Sequence, residues 1–179
     1  MADTEDYLAD DDRALLNRCD VHLYKASGPG GQHRNKVTSA VRLRHRPTGI
    51  AAHADDSRSQ HQNKRLAMRR LRMNIACQLR RPVDPAEPVL PPVVRQCLFT
   101  PKRKGASQKR LEIGRKDARF WPIAAFLLDL LSACEGRLAD AAERLEITTG
   151  NLSAILKSES HLLRAAQEIR KHFGQRPIA

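Results

Sequence analysis

The chain has 179 residues, and its 32 Lys and Arg outnumber 20 Asp and Glu to give a net charge of +12, which favours a polyanionic partner such as a phosphate backbone. Hydrophobic residues make up 41%, which excludes wholesale disorder, while 4% aromatic residues are too few for a protein that binds mainly by stacking bases on rings. The four cysteines form no CxxC pair, so neither a zinc ribbon nor a disulfide framework is expected, and a reducing cytoplasm is the default.

Residues 1–19 form an acidic segment, because the first twenty residues hold seven acids and only two bases. We predict that this segment is helical. Its acids either screen a basic surface while a partner is absent or simply raise solubility, and the sequence leaves both interpretations open.

Residues 20–81 are typical of a compact α/β domain. Alternation of apolar and polar residues predicts three strands, at 21–24, 41–45 and 50–54. A Gly-rich loop follows the first strand, and a Pro-Thr-Gly turn precedes the third. Asp55, Asp56 and Ser57 are predicted to cap a long helix that runs to about Arg80, with one apolar face and a strongly basic remainder.

The rest of the chain divides by composition into three parts. Residues 82–101 contain six prolines, which predicts an extended linker rather than a helix. Residues 102–119 hold eight bases against two acids and are either a solvated, partly helical segment or a contact for RNA phosphates. Residues 120–175 have helical apolar spacing and predict a bundle that starts at Pro122. The predicted fold class is α+β, with a small α/β domain, a Pro-rich linker and a C-terminal helical module.

The C-terminal bundle also has the apolar spacing of a helix-turn-helix, with residues 148–151 as the turn. In that motif four side chains would face nucleic acid: Thr149, Asn151, Ser153 and Lys157. Glu146 stands where the motif usually has Gly, and residues 135–159 hold three bases and five acids, which favours a plain helical bundle. A module that docks on a protein or on the ribosome satisfies both observations.

The most informative stretch is the Gly-rich loop from Ser27 to Lys36, with the sequence SGPGGQHRNK. It lacks the Gly-Lys-Ser/Thr ending of a nucleotide P-loop and the glycine spacing of a dinucleotide site. Together with the run RSQHQNK from Arg58 to Lys64, it resembles the catalytic domain of class I peptide chain release factors. In layout the chain is most similar to stand-alone ribosome-rescue peptidyl-tRNA hydrolases, and the resemblance covers about residues 20–80.

This resemblance implies that the protein hydrolyses the ester between a nascent peptide and P-site tRNA, with Gly30, Gly31 and Gln32 as catalytic residues. Two adjacent glycines allow backbone angles that other residues rarely adopt, and they let the main chain approach the ester closely. The backbone N–H of Gln32 would then stabilise the charge that develops on oxygen. The neutral Gln32 side chain would position water, and proton transfer would fall to the ribose 2′-hydroxyl of the RNA.

The same resemblance implies the large ribosomal subunit and peptidyl-tRNA as partners, and we expect a monomer without a metal, a cofactor or a membrane partner. Eight polar residues are the candidates for contact with rRNA or tRNA: Arg34, Asn35, Lys36, Arg58, Gln60, His61, Asn63 and Lys64. Those between 58 and 64 would also brace the base of the loop, although a capped, solvated helix start is the other interpretation.

Only about twenty residues precede the first predicted strand, which leaves no room for a domain that reads stop codons. We therefore expect stop-codon-independent rescue of stalled ribosomes. The basic segment resembles in charge the C-terminal tail of rescue hydrolases, but predicted helices follow it. The alternative function is a noncatalytic nucleic-acid-binding regulator that uses the helix-turn-helix-like module.

Overall fold

The computed structural model of the chain describes residues 7–25, 38–102 and 108–179. These residues form helices and two small antiparallel sheets, which confirms mixed α and β structure. The chain divides into two compact units, Met1–Ala76 and Cys77–Ala179. The domain boundaries drawn from the sequence stay predictions.

The first unit is built on a three-stranded antiparallel sheet in the order β1–β2–β3. Its strands are β1 (Cys19–Tyr24), β2 (Ala40–His45) and β3 (Ala51–Ala54). Val21 lies opposite Leu43, and Leu43 lies opposite Ala52, so these side chains share one face of the sheet. The three predicted strands are confirmed, with ends shifted by one or two residues.

Helix α2 (Gln60–Gln78) follows the sheet and is the predicted long helix, although it ends at Gln78 rather than near Arg80. It lies against the sheet, since the Asn74 side-chain amide donates a hydrogen bond of 2.8 Å to the Ala51 carbonyl. The predicted cap is wrong. The Ser59 hydroxyl accepts the Gln62 backbone N–H at 3.3 Å, so Ser59 caps the helix in place of the three residues at 55–57.

The acidic N-terminal segment contains a short helix, α1 (Asp12–Asn17), whose Asp11 cap accepts the Ala14 N–H at 2.7 Å. Arg72 of α2 binds this segment. Its guanidinium donates to the Asp10 carbonyl at 2.7 Å and to the Asp12 carboxylate at 3.0 Å. At least one acid of the segment therefore pairs with a basic side chain of the same unit.

The second unit starts with the last two residues of α2, and the stretch that follows, 79–91, contains no helix or strand. From residue 92 the structure differs from the predicted linker, because it forms α3 (Pro92–Arg95) and β4 (Leu98–Phe99). Val94 and Cys97 are buried in the apolar core. A helix can start at Pro92 because proline has helical φ and lacks only an N–H that the first helical turn leaves unbonded.

Strand β4 pairs antiparallel with β5 (Arg110–Leu111), which lies within the basic segment. Leu98 is opposite Leu111, and the Leu111 side chain is buried. Residues 110 and 111 are therefore a strand and not helical, with Leu111 buried and Arg110 exposed, which differs from the interpretation of a solvated, partly helical segment. Residues 103–107 lie outside the described residues.

Four helices complete the second unit: α4 (Phe120–Ala133), α5 (Leu138–Arg144), α6 (Thr149–Lys157) and α7 (Ser160–His172). As predicted, α4 is buried nearly all round, although it begins two residues before Pro122. Its one charged residue, Asp129, is only 1% exposed and binds Arg80 at 2.9 Å and Arg81 at 3.0 Å. Across the described ranges, no helix combines the length and the apolar composition that crossing a membrane requires.

The turn before α6 is not where the spacing predicts it. Residues 149–151 already belong to the helix, and Thr148 is its cap, with a hydroxyl that accepts the Asn151 N–H at 3.0 Å. The turn lies at 145–148, and in it Glu146 has φ +55°. Glu146 thus adopts the left-handed conformation that Gly adopts more easily.

Candidate functional site

The candidate site is described through the residues that hold its loop, because 26–37 lie outside the described residues. Six predicted site residues fall in that range: Gly30, Gly31, Gln32, Arg34, Asn35 and Lys36. On one side the chain enters the loop from the end of β1, and on the other it returns into β2. Tyr24 and Ala40 lie opposite each other in the sheet, so these two strand ends are fixed next to each other.

Asn63 ties the returning end of the loop to the start of α2. Its side-chain amide donates to the Ser39 carbonyl at 2.8 Å and to the Ser57 carbonyl at 2.7 Å. The Asn63 side-chain oxygen accepts the Ser57 backbone N–H at 2.9 Å. One buried amide therefore joins the residue before β2 to the connection between β3 and α2.

The Asn63 side chain is fully buried, so it braces the loop base and does not face a partner. Direct contact of Asn63 with RNA does not fit this geometry. A sequence signal for this role exists, because Asn63 stands four residues before Ala67 and eight before Leu71, on the buried stripe of α2. An amide on such a stripe must find hydrogen-bond partners inside the protein.

Arg70 makes a second brace on the same connection. Its guanidinium binds both carboxylate oxygens of Asp56 at 2.8 Å and donates to the His53 carbonyl at 2.9 Å. The guanidinium lowers the pKa of the Asp56 carboxyl below its ordinary value, mainly through these hydrogen bonds. The connection between β3 and α2 is therefore fixed at two neighbouring residues, Asp56 and Ser57.

The other predicted residues of this region lie together around the first turn of α2. Their side chains are exposed: Arg58, Gln60, His61 and Lys64. They are free to contact a partner while Asn63 holds the backbone behind them. In the part of the chain that the structure describes, no group of three or more His, Cys, Asp or Glu could hold a metal ion.

The helix-turn-helix-like module uses two of its four predicted contact residues internally. The Asn151 side-chain oxygen accepts the Leu111 N–H at 2.8 Å, and the Asn151 amide donates to the Leu111 carbonyl at 3.0 Å. Lys157 donates to the Ala179 carbonyl at 2.8 Å. The Asn151 side chain thus binds the outer edge of β5 as a neighbouring strand would, and it does not face nucleic acid.

Comparison with known proteins places the similarity in the same part of the chain. Residues 16–87 match the family described as RF-1 domain. A peptide chain release factor 1 of Methylibium petroleiphilum is 53% identical over 66 residues, which are 34% of this chain and 18% of the relative. A peptide chain release factor 2 of Buchnera aphidicola is 52% identical over 59 residues, which are 33% of this chain and 16% of the relative.

A third relative, a peptide chain release factor 1 of Albidiferax ferrireducens, is 49% identical over 73 residues, or 38% of this chain and 20% of the relative. The chain therefore spans between 16% and 20% of the length of these three release factors. The predicted resemblance to the catalytic domain of class I release factors is confirmed for residues 16–87, which carry an RF-1 domain.

Proposed function

We propose that this protein is a ribosome-associated hydrolase that cleaves the ester between peptide and tRNA. The observation that carries the proposal is that the RF-1 domain match, residues 16–87, contains the sequence Gly30-Gly31-Gln32. The braces at Asn63 and Arg70 support it, because a catalytic main chain must be held in place by its surroundings. The domain match and the relatives make release-factor-like activity the natural assignment for this part of the chain.

In the proposed reaction, water attacks the ester carbonyl, the carbonyl oxygen becomes negatively charged, and the bond to the tRNA ribose breaks. The Gln32 N–H donates a hydrogen bond to that oxygen, and the Gln32 side chain orients the water. The proton reaches the leaving ribose oxygen through the neighbouring 2′-hydroxyl of the tRNA. Gly30 and Gly31 allow the main chain to come close enough, since neither carries a Cβ.

The exposed residues around the first turn of α2 are the proposed contacts with rRNA or tRNA: Arg58, Gln60, His61 and Lys64. Two of them, Arg58 and Lys64, are basic residues of the kind that bind phosphate. Within the loop, Arg34, Asn35 and Lys36 complete the proposed contact set. The protein would act as a monomer in the cytoplasm, where ribosomes are found.

We further propose that release does not depend on a stop codon, as in the rescue of stalled ribosomes. The supporting observation is that the family match covers residues 16–87, and that the three relatives share with this chain only 16% to 20% of their own length. The described residues from 88 onward lie beyond that match and belong to the mainly helical second unit.

Peptide release from purified ribosomes that carry labelled peptidyl-tRNA tests the hydrolysis. We expect Gly31→Ala to slow release by about a hundredfold, because a main chain displaced by roughly 1 Å loses that much rate. Gln32→Ala is expected to be strongly impaired as well. Gln78→Ala, at the exposed end of α2, is the matched control and should release at the unchanged rate. Equal release by the wild type and both loop variants would contradict the proposal.

The same assay separates rescue from stop-codon decoding when three ribosome preparations are compared. Their A sites hold a stop codon, a sense codon, or no mRNA at all. We expect release that is not favoured by the stop codon. Release only on the stop-codon preparation would leave the hydrolase assignment intact and overturn the rescue function.

A further inference from the structure

One face of the first unit's sheet is open and basic. Its exposed side chains are His22 on β1, Arg42 and Arg44 on β2, and His53 on β3. With Tyr24 and the alanines at 51 and 52, they line an open depression of about 760 Å³. Ala51 lies opposite Arg44 on this face, and its small side chain leaves room above the strands for the backbone of a ligand.

The strand register places these side chains in rows. Arg42 lies between His22 and His53, opposite each of them, and all three point to the same face. Arg44 stands two residues further along β2, about 7 Å away on the same face. The result is a basic strip along β2 with imidazoles on both sides.

The two arginines of the strip, Arg42 and Arg44, carry positive charge that no ion pair among the described residues neutralises. The one acid in this register is Asp20, opposite Arg44, and its carboxylate lies 3.4 Å from the Arg46 guanidinium. Unpaired cations next to one another on a sheet weaken it, so a ligand that supplies negative charge is the expected compensation.

We propose that this strip binds the sugar–phosphate backbone of an RNA strand that runs along β2. Guanidinium groups on alternate residues suit phosphates, because each planar fork donates two parallel hydrogen bonds to one phosphate. The half-buried Tyr24 ring at the end of the strip offers a surface against which a base or ribose packs. The net charge of +12 favours a polyanion over a single anionic group.

The position of the strip suits it to orienting the first unit on RNA. Tyr24 is the last residue of β1, directly before the Gly-rich loop, and the strip extends from there toward the turn that follows His45. RNA bound along β2 would therefore orient the unit on the ribosome from a second side, away from the first turn of α2. This binding goes beyond the proposed hydrolysis and does not require it.

The test measures binding of a labelled single-stranded RNA and of purified large ribosomal subunits by the full chain at several salt concentrations. The double variant R42Q/R44Q should weaken binding on the order of tenfold for each arginine replaced. The slope of log affinity against log salt should become shallower by about 0.7 for each phosphate that the variant no longer neutralises. The matched control is R144Q/R164Q, which removes two exposed arginines from the second unit and should leave both quantities unchanged.

Three results would overturn the proposal. An equal loss of affinity in both double variants would mean that RNA responds to the overall charge of the protein. Unchanged affinity in R42Q/R44Q, with folding checked by circular dichroism, would mean that the strip does not bind RNA. Binding of polyglutamate that is equally tight and equally dependent on the two arginines would indicate an acidic protein partner. All measurements are repeated on Gln32→Ala. Because that variant removes the proposed chemistry, retained RNA binding separates a failure of hydrolysis from a failure of the strip.

Discussion

The two units of the chain hold their important features in different ways. In the second unit, one apolar cluster joins helices α3 to α7, and a single carboxylate, Asp129, interrupts it with two arginine partners. In the first unit, the connection next to the proposed catalytic loop depends on polar groups, above all the Asn63 amide. An apolar core stabilises the fold without fixing individual atoms, because the hydrophobic effect is non-directional. Hydrogen bonds fix particular backbone atoms, which is what a loop that presents its main chain needs.

The largest loss of stability should come from a substitution in the apolar core of the second unit. Leu131→Ala removes a fully buried side chain from the second unit and should lower the free energy of unfolding by about 4 kcal/mol, measured in urea. Leu23→Ala, on β1, is the matched control. That side chain is 49% exposed, so about 1 kcal/mol is expected. Equal costs would mean that burial does not distinguish the two sites.

The next largest loss of stability should come from a substitution among the polar contacts of the first unit. Asn63→Ala leaves the Ser39 and Ser57 backbone groups without partners and should cost about 3 kcal/mol. Asn74→Ala, on the same helix, removes a single hydrogen bond to Ala51 and should cost about 1 kcal/mol. Peptide release should fall in Asn63→Ala even where most molecules are folded. Unchanged release there would contradict a role of Asn63 in positioning the loop.

The smallest effect is a pH dependence confined to the first unit. His45 is fully buried, its Nδ1 lies 2.9 Å from the Thr48 hydroxyl, and the ring of Tyr7 packs on it. Burial lowers the pKa of His45, the Arg18 and Arg46 charges add to this, and Asp10 opposes it.

The folded state therefore disfavours protonated His45, and the unfolded state binds more protons. This contribution to stability is present above about pH 6.5 and is lost as the pH falls through the lowered pKa. Urea unfolding at neutral pH and near pH 5 should show the loss. His45→Gln should remove that part of the pH dependence, whereas His53→Gln, at an exposed position, should keep it. An identical pH profile for the two variants would refute the assignment.

Much of the fold could be predicted because it follows from periodicity. Apolar and basic residues alternate strictly along β2, and α4 has a wide apolar face. Each pattern fits one kind of element, a half-buried strand and a buried helix, and the structure contains both. The turn predicted at residues 148–151 is wrong for a physical reason. Its polar residues suit a turn, but a threonine before a helix is also a good cap, and the choice depends on the Asn151 contact with β5.

The candidate site was less predictable than the fold. Motif and resemblance identified the loop and the start of α2, but they could not separate a residue that braces from one that contacts RNA. Asn63 and His61 differ in burial although two positions apart, and only the packing of α2 on the sheet decides between them. The alternation of apolar and basic residues at 41–45 already indicates a cationic face, but the histidines on both sides of it come from strands that the sequence keeps apart.

The pairing of β4 with β5 constrains how the basic segment between them could ever be used. Leu98 and Leu111 lie opposite each other in the two strands, and Asn151 binds the Leu111 backbone from the other side, so the two ends of the intervening chain are anchored side by side. A partner would therefore meet the paired strands β4 and β5, which are two chains wide, rather than a single extended chain. A passage wide enough for one extended polypeptide would reject this pair, whereas an open groove or a convex RNA ridge would accept it.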